Sequence, residues 1–449
     1  MATVLIHNAT VTDGSRRVRA WLQINGERIA GIGPGDVPPR ILSGSDSVID
    51  AGGALMLPGM IDSHVHFRQP GLTHKADIAG ESLAAVAGGV TTFFDMPNTV
   101  PPTLKVSDVR TKESIADGAS AANYAFFIGA SAENADELRA CTFENIPGVK
   151  LFMGSSTGRM AVTVSEALKS LFTLCRDVPL MVHAEDDAVI ARAAERLRRE
   201  WPDGDIPVTA HPAIRTSEAC LISARHAVEL AERYDTRLHL AHVSTADEVR
   251  ELLSEGPLDG KRITAEATPL HLTFAGPEDY ETLGARIKVN PAVKSAYDRA
   301  VLRDALYSGA IDTIGTDHAP HLPAEKEGGA LTASSGAPMV QFALPLLLSY
   351  FPAELVVEKM SANPARLFGV TDRGALRRGN YADIVLMEQT EPYSVDDSMV
   401  ISRCGRTPLA GSGYRLKYRV LKTWVNGVLA YSDGRPTGAR AGRLVDFRR

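Results

Sequence analysis

Short apolar runs alternate with longer amphipathic segments through the middle of this 449-residue chain, and this alternation constrains the fold more than any other feature. The apolar or β-branched runs predict strands at residues 60–66, 90–96, 123–128, 149–153, 180–183, 238–243, 263–267 and 313–316. Helical periodicity between them predicts helices at residues 77–87, 164–175, 217–233 and 298–308. Eight strand–helix units predict an α/β protein built on a (β/α)8 TIM barrel. A doubly wound open sheet is the main alternative, but no Gly-x-Gly-x-x-Gly follows the first predicted strand to favour it.

The two ends of the chain have a different character, with short alternating strands separated by turns. Predicted strands lie at residues 2–6, 21–24, 29–32, 382–386 and 420–425. We therefore expect residues 1–57 and 372–449 to pair into one small β-sandwich domain, beside a catalytic barrel of residues 58–371.

Composition excludes some classes of function. The net charge of −6 offers no basic excess to attract nucleic acid or an anionic membrane. No apolar run is long enough to span a bilayer, and the amino terminus enters a strand-like pattern at once. The four cysteines are far apart and form no Cys-x-x-Cys, so neither a disulfide framework nor a thiolate zinc site is indicated. We expect a cytoplasmic protein.

The first predicted barrel strand ends in the string Asp62-Ser63-His64-Val65-His66. Side chains at positions i and i+2 of a strand point to the same face, so His64 and His66 can both reach one metal ion. A His-x-His pair alone is weak evidence, because histidines two residues apart occur by chance in many chains.

Further polar residues follow the ends of other predicted strands. Reactive groups of such barrels come from the carboxyl ends of the strands and from the loops after them. The residues that meet this condition are Asn98 after the second strand, Lys150 on the fourth, His183 on the fifth, His242 on the sixth and Asp317 on the eighth. Together with His64 and His66, they predict one polar site at the mouth of the barrel.

Each of these residues also has an ordinary structural interpretation. A histidine within an apolar strand is usually a packing residue, and His239 is assigned that role, because its odd offset from His242 predicts that it faces the helical ring. Asp317 could serve only as a helix cap. Lys150 lies between apolar residues, where an unpaired ammonium is costly to bury, so it needs a partner or a modification. The remaining histidines His74, His226, His271 and His318 are interpreted as packing or surface residues.

Several strings in the chain resemble those of dihydroorotases, a family of cyclic amidohydrolases in the amidohydrolase superfamily. The strings are Pro58-Gly59-Met60-Ile61-Asp62-Ser63-His64-Val65-His66-Phe67-Arg68, Asp95-Met96-Pro97-Asn98-Thr99, Val149-Lys150-Leu151-Phe152, His242-Val243-Ser244 and Thr316-Asp317-His318-Ala319-Pro320-His321. The resemblance runs over nearly the whole chain, including Ala382-Asp383-Ile384-Val385-Leu386 and Val425-Asn426-Gly427 near its end. Arg68 and the Met-Pro-Asn-Thr string point to dihydroorotase rather than to hydantoin-cleaving or allantoin-cleaving relatives.

The resemblance implies a binuclear zinc site. His64, His66 and Asp317 hold one Zn2+, His183 and His242 hold the other, and Lys150 carries a CO2-derived carbamate that bridges both. A bridging hydroxide attacks the ring amide of dihydroorotate, and Asp317 passes its proton to the departing nitrogen. The reverse reaction closes N-carbamoyl-L-aspartate, a step of pyrimidine biosynthesis.

The same resemblance implies a set of substrate-binding residues and an oligomeric state. Arg68 anchors the substrate carboxylate, Asn98 and His321 supply further donors, and Asn290 touches the ring. A homodimer is expected by analogy.

Two departures from the family pattern lie near the mouth. Ala292-Val293-Lys294 follows Asn290-Pro291 where many relatives have Pro-Leu-Arg, and Leu270 precedes His271 where a second histidine is common. Another cyclic amidase, such as a hydantoinase or an allantoinase, therefore remains an alternative, as does a catalytically inactive structural relative. The segment 154–158 after the fourth strand is either a loop over the site or a plain turn.

Overall fold

A computed structural model describes residues 3–13, 16–154, 160–162, 165–202 and 204–448. Most of the predicted 154–158 loop lies outside these residues. No helix among the described residues combines the length and the apolar character that crossing a bilayer requires.

Eight parallel strands form the predicted barrel. They are Met60–Val65, Val90–Asp95, Asn123–Phe126 with its short continuation Ile128–Gly129, Val149–Phe152, Leu180–His183, Leu238–Leu240, Ile263–Ala267 and Thr313–Ile314. The first three pair in one sheet, and the strands from Ile128–Gly129 to Thr313–Ile314 pair in sequence order in a second sheet.

The barrel closes where the first strand meets the segment after the eighth. The backbone N–H of His66 donates to the carbonyl oxygen of His318 at 2.8 Å, and Val65 pairs with His318 in a parallel bridge. The carboxylate of Asp62 accepts from the backbone N–H of Thr316 at 2.9 Å and from its hydroxyl at 2.6 Å. We call this contact between the first and last strands the closure seam.

Helices surround the barrel. The α-helices are Ile78–Ala87, Val106–Ala116, Ala135–Ala140, Ser165–Leu174, Asp187–Glu200, His211–Ile214, Ser217–Tyr234, Ala246–Leu252, Pro269–Thr273, Glu278–Leu283, Ala296–Ser308, Ala343–Tyr350, Ala353–Val357 and Asn363–Phe368. Several begin at the capping residues that helix N-termini prefer, because a short polar side chain satisfies a free backbone N–H. Asp77 accepts from Gly80 N, and Ser295 accepts from Asp298 N.

Alternation along each strand separates the two faces of the barrel wall. On the fourth strand, Val149 and Leu151 pack outward in the same core cluster as Leu168 and Leu171 of the helix Ser165–Leu174. Lys150 therefore points inward, because successive side chains of a strand point to opposite faces. The end of the barrel away from the polar mouth is filled by aromatic side chains in edge-to-face contact, namely Phe94, Phe127, Phe368 and Phe447.

Both chain ends contribute to one nine-stranded sheet beside the barrel. Its strands are Thr3–Asp13, Arg16–Asn25, Arg28–Pro34, Ser47–Asp50, Leu55–Pro58, Ile384–Ser394, Arg415–Val425, Val428–Ser432 and Arg435–Pro436. The two ends meet where Leu55–Pro58 pairs with Ile384–Ser394. The sheet curls around an apolar core that includes Leu22, Met56 and Trp424, so the amino-terminal and carboxy-terminal segments form one β-rich unit. The division into residues 1–57 with 372–449 and residues 58–371 stays a prediction.

Candidate active site

Nine of the ten predicted site residues line one cavity of about 260 Å3 at the carboxyl ends of the barrel strands. They are His64, His66, Arg68, Asn98, Lys150, His183, His242, Asn290 and Asp317. Residues from the first, second, fourth, fifth, sixth and eighth strands thus meet in one place, as the barrel prediction requires. The tenth residue, His321, does not line this cavity in the described structure and lies behind Arg68.

His64, His66 and Asp317 form a compact cluster. Asp317 Oδ1 lies 3.0 Å from His66 Nε2 and 3.4 Å from His64 Nε2, and the three potential ligand atoms lie within 4.8 Å of one another. Burial lowers the pKa of His64 to about 3 and that of His66 to about 4. Both rings are therefore neutral at pH 7, and each carries a single N–H.

On the side of each ring away from Asp317, a side-chain oxygen accepts a hydrogen bond from that N–H. His64 Nδ1 lies 2.7 Å from Glu266 Oε1, and His66 Nδ1 lies 2.8 Å from Asn98 Oδ1. With the proton on Nδ1 in both rings, the Nε2 lone pairs face the Asp317 carboxylate with no hydrogen between them. Three electron-pair donors that converge in this way fit a bound cation.

Asp317 is ionised within this cluster. Burial raises its pKa, but electrostatic interactions with His64, His66 and Lys150 outweigh burial and hold the pKa well below its usual range. The residue has a positive φ of 48°, a conformation that aspartate tolerates better than most residues. Its carboxylate is therefore available as a ligand and as a proton acceptor.

His183 and His242 form a second pair beside the first. His183 Nδ1 lies 2.9 Å from His242 Nε2, and the His242 ring lies 5.4 Å from the His64 ring between centroids. His183 Nε2 lies 3.1 Å from Glu185 Oε2. Nδ1 of His242 is buried without a hydrogen-bond partner in the described structure.

Lys150 is fully buried among these groups. Its ammonium nitrogen has no hydrogen-bond partner among the described residues and lies 5.3 Å from the centre of the Phe152 ring. Burial lowers the pKa of Lys150 despite the opposing effects of Glu266 and Asp317. A buried amine without a partner, beside converging imidazoles, fits the metal-bridging modification that the sequence resemblance implies. The donor set is thus suited to two metal ions.

The prediction for His239 was wrong. Its ring bonds at 2.9 Å to the hydroxyl of Thr264, which points to the same face of its strand as Glu266, and it lies 3.4 Å from the hydroxyl of Thr313. His239 therefore faces the barrel interior below the site. The strand ends at Leu240, and His242 reaches the mouth through a left-handed backbone with φ 39°, so the parity of a regular strand does not apply to it.

Arg68 occupies the wall of the cavity next to the first strand. Its Nε donates to the carbonyl oxygen of Pro320 at 3.1 Å. It is 6% exposed and forms no ion pair with a carboxylate among the described residues. His321 lies beside it, with Nε2 3.1 Å from Arg68 Nη2 and 3.0 Å from the carbonyl oxygen of Ser335.

Lys75 decides the tautomer of His321. Its ammonium, which can only donate, lies 3.2 Å from His321 Nδ1. Nδ1 therefore accepts, and the ring proton on Nε2 is donated to Ser335 rather than shared with Arg68. In this tautomer His321 offers no acceptor to Arg68, although Nη2 lies 3.1 Å away.

Three functional residues were not predicted from the sequence. Glu266 orients His64, Glu185 contacts His183, and Arg215 lines the cavity and forms an ion pair with Glu185. A carboxylate within the apolar run Ile263–Ala267 was an available signal for Glu266, because it faces the side opposite to Ala265 and Ala267. Arg215 lies in a loop between two helices, where no pattern distinguishes it from a surface residue.

Comparisons with known proteins agree with this geometry. The sequence profile of the Amidohydrolase family matches residues 55–430. The dihydroorotase of Halobacterium salinarum is 35% identical over 415 residues, which cover 91% of this chain and 92% of that protein. The allantoinase of Streptomyces avermitilis is 31% identical over 411 residues, which cover 88% of each chain. The solved structure of an L-hydantoinase (dihydropyrimidinase) from Arthrobacter aurescens matches with a TM-score of 0.89 and 27% identity, covering 99% of this chain and 100% of that one. The chain therefore belongs to the amidohydrolase family and is an enzyme of the cyclic amidohydrolase class.

Proposed function

We propose that the protein is a zinc-dependent dihydroorotase, which interconverts dihydroorotate and N-carbamoyl-L-aspartate. The observation that carries this proposal is the environment of Arg68. Its guanidinium is buried in the wall of the cavity without an acidic partner in the described structure. A buried charge without a counter-charge is unfavourable, so this side of the cavity is suited to a ligand that brings an anion.

The charge of the candidate substrates separates them. Dihydroorotate carries a carboxylate beside the ring amide, and a guanidinium can bind a carboxylate through two parallel hydrogen bonds. Hydantoin and allantoin are neutral rings at pH 7 and supply no such partner. The other arginine of the cavity, Arg215, already has Glu185 as its counter-charge. Arg68 is therefore the group that would distinguish a substrate with a carboxylate from a neutral ring.

Two zinc ions are proposed as the resident metals. His64, His66 and Asp317 would hold one, His183 and His242 the other, and a carbamate on Lys150 would bridge them. When bound, the ions supply Lewis-acid activation of the ring carbonyl and lower the pKa of a water nucleophile towards about 7. Two observations support this assignment. The Nε2 lone pairs of His64 and His66 face the Asp317 carboxylate, and the amine of Lys150 has no hydrogen-bond partner among the described residues.

The protein's own residues would carry the remaining steps. Arg68 and Asn98 orient the substrate carboxylate from the first and second strand ends. The ionised carboxylate of Asp317 accepts the proton of the nucleophile and returns it to the departing amide nitrogen. Glu266 and Asn98 hold the His64 and His66 rings in the tautomer that leaves both Nε2 atoms free.

One parallel assay tests the proposal. The protein purified with zinc and bicarbonate is assayed with dihydroorotate, N-carbamoyl-L-aspartate, hydantoin and allantoin. We expect kcat/KM for dihydroorotate to exceed that for either neutral ring by at least about tenfold, since one lost charge-assisted contact costs about 1.5–3 kcal/mol. A preference for a neutral ring would overturn the assignment and leave the cyclic amidohydrolase class intact.

Another cyclic amidase is the second candidate. Allantoinases and hydantoinases are among the similar proteins. At the two departures, Lys294 is buried and bonds to the carbonyl oxygen of Ala292, and His271, which follows Leu270, bonds to that of Pro291. The allantoin and hydantoin arms of the same assay test this candidate. Metal content near two ions per chain, with activity lost on chelation, would exclude an inactive relative.

Two further proposals concern the cellular setting. Dihydroorotase activity would place the enzyme in pyrimidine biosynthesis, and we propose that it acts in the cytoplasm as a homodimer. Light scattering on the purified, metal-loaded protein tests the dimer.

A further inference from the structure

Residues 333–336 form one wall of the cavity, and we call them the wall segment. Ser335 and Gly336 line the cavity directly, on the side that carries Arg68 and Asn290. Gly336 has a φ of +141°, and a Cβ atom at this position would lie 2.7 Å from the carbonyl oxygen of Ala319 and 2.9 Å from the His321 ring. The wall segment is therefore packed closely against the loop that follows Asp317.

Lys326 binds this segment from behind. Its ammonium donates to the carbonyl oxygens of Ser334 at 2.8 Å, Gly336 at 2.7 Å and Lys288 at 3.1 Å. Three well-placed acceptors satisfy all three N–H donors of the ammonium. Burial lowers the pKa of Lys326 to about 7, yet its position is defined by these three bonds rather than by an acidic partner.

Two more side chains bind the carbonyl oxygens that Lys326 does not reach. Lys288 donates to the carbonyl oxygen of Ala333, and His321 donates through Nε2–H to that of Ser335 at 3.0 Å. Each of the four carbonyl oxygens of the wall segment is thus bonded to a side-chain donor. The backbone N–H of Gly336 donates to the carbonyl oxygen of Lys288 at 2.9 Å, so the segment both accepts and donates hydrogen bonds.

A buried lysine bonded to carbonyl groups is often only a structural element. Lys326 differs because its acceptors belong to a segment whose other face lines the reaction cavity. The turn Pro323–Lys326 also places Glu325 on the opposite side, where it forms an ion pair with Lys75 at 2.7 Å. Lys75 in turn contacts His321 Nδ1, so this short turn supports all three side-chain bonds to the carbonyl oxygens of residues 334–336.

We propose that Lys326 is a positioning residue of the cyclic amidohydrolase reaction, which holds the wall segment in the orientation that binds the ring substrate. Its ammonium does not line the cavity in the described structure and contacts none of the proposed metal ligands, so its effect passes through Ser335 and Gly336. The inference rests on the cyclic amidohydrolase class of the enzyme and not on which ring is the substrate.

The test compares K326M with K359M, using whichever cyclic amide the wild-type enzyme hydrolyses. Lys359 is a buried lysine whose ammonium pairs with Glu358, and it does not line the cavity. We expect K326M to raise KM by about tenfold while kcat stays within about threefold. The wall would contact the substrate and the transition state equally, and losing such a contact raises KM without lowering kcat. Metal content should equal that of the wild type in both variants.

Two outcomes would overturn the proposal: a KM for K326M within twofold of that for K359M, or a loss confined to kcat. If K326M does not fold, K326R and K359R replace the pair, because arginine keeps the charge and the donors but cannot direct three of them as the ammonium does. K326R should then raise KM at least threefold at an unchanged melting temperature. Equal KM values for the two arginine variants would also overturn the proposal.

Discussion

Glu266 Oε1 and His64 Nδ1 lie 2.7 Å apart inside the barrel, and neither side chain is more than 1% exposed to solvent. Burial raises the pKa of Glu266 and lowers that of His64. Ionised Glu266 accepts the Nδ1–H of His64, so the unprotonated nitrogen of the ring is Nε2, which is directed at Asp317. This arrangement makes a carboxylate that is not itself a proposed ligand important for metal binding.

Replacing Glu266 tests that relationship. In E266Q the amide can turn its NH2 towards His64 Nδ1, which favours the tautomer with the proton on Nε2 and blocks the proposed ligand atom. We expect zinc affinity to fall about 10- to 100-fold, the range seen when the partner of a ligating histidine is removed. Competition with a chromogenic chelator measures this. E248Q is the matched control, because Glu248 is also buried but caps a helix; equal losses in both variants would refute the role.

Lys150 is expected to need its primary amine and not only its charge. K150M and K150R should each bind less metal than the wild type and lose kcat/KM by more than about 100-fold, since the loss of a ligand should exceed the loss of a ligand's partner. Addition of bicarbonate during zinc reconstitution should speed recovery of the wild type and leave both variants unchanged. Activity in K150R close to that of the wild type would contradict a carbamate.

Arg68 is expected to distinguish charged from neutral substrates. R68M should lower kcat/KM for dihydroorotate by about 10- to 150-fold, which corresponds to a charge-assisted contact of about 1.5–3 kcal/mol. Hydrolysis of hydantoin, if detectable, should change little. R68K keeps the charge but not the planar fork, so we expect an intermediate loss. An equal loss on the charged and the neutral ring would show that Arg68 supports the wall without binding a carboxylate.

The metal-free protein should become less stable in mild acid. The pKa values of His64 and His66 are lowered to about 3 and about 4 in the folded protein, against about 6.5 in the unfolded chain. Between pH 6.5 and 4 the unfolded chain binds protons that the folded protein does not, so stability falls as pH falls. We expect a loss of about 2 kcal/mol per histidine between pH 6.5 and 5.

Urea unfolding of the metal-free protein at pH 7.5, 6.5 and 5 measures this dependence. H66Q should show a shallower slope over the same interval, because one of the two lowered groups is gone. Identical slopes for H66Q and the wild type would contradict the assignment of the acid sensitivity to this cluster.

Much of the barrel could be predicted because its strands are short apolar runs that stand out against the amphipathic helices. Two of the predicted strands, at 180–183 and 263–267, have the predicted bounds. Others end earlier than predicted, since the residues that form the mouth leave the regular strand to aim their side chains inward. The strand predicted at 238–243 ends at Leu240, and the positive φ of His242 is not visible in a hydropathy pattern.

The residues around the proposed ligands were harder to predict than the ligands themselves. A histidine at a strand end carries a recognisable chemistry, whereas Glu266 and Arg215 take their roles from partners that are distant in the chain. Glu266 is 202 residues from His64, and Arg215 is 30 residues from Glu185. The same distance effect explains His321, whose tautomer depends on Lys75, 246 residues away.

The closure seam gives the proposed metal site a role in assembly of the fold. His64 and His66 belong to the first barrel strand and Asp317 to the segment after the last, so a cation shared by these three side chains would tie the beginning of the barrel to its end. The three ligands come together only when the first and last strands are both in place, because His66 and Asp317 are 251 residues apart in the chain. A metal that binds only the completed ring shifts the folding equilibrium towards it by mass action. The proposed ion would then also stabilise the junction between the first and last strands, and its removal would weaken that junction.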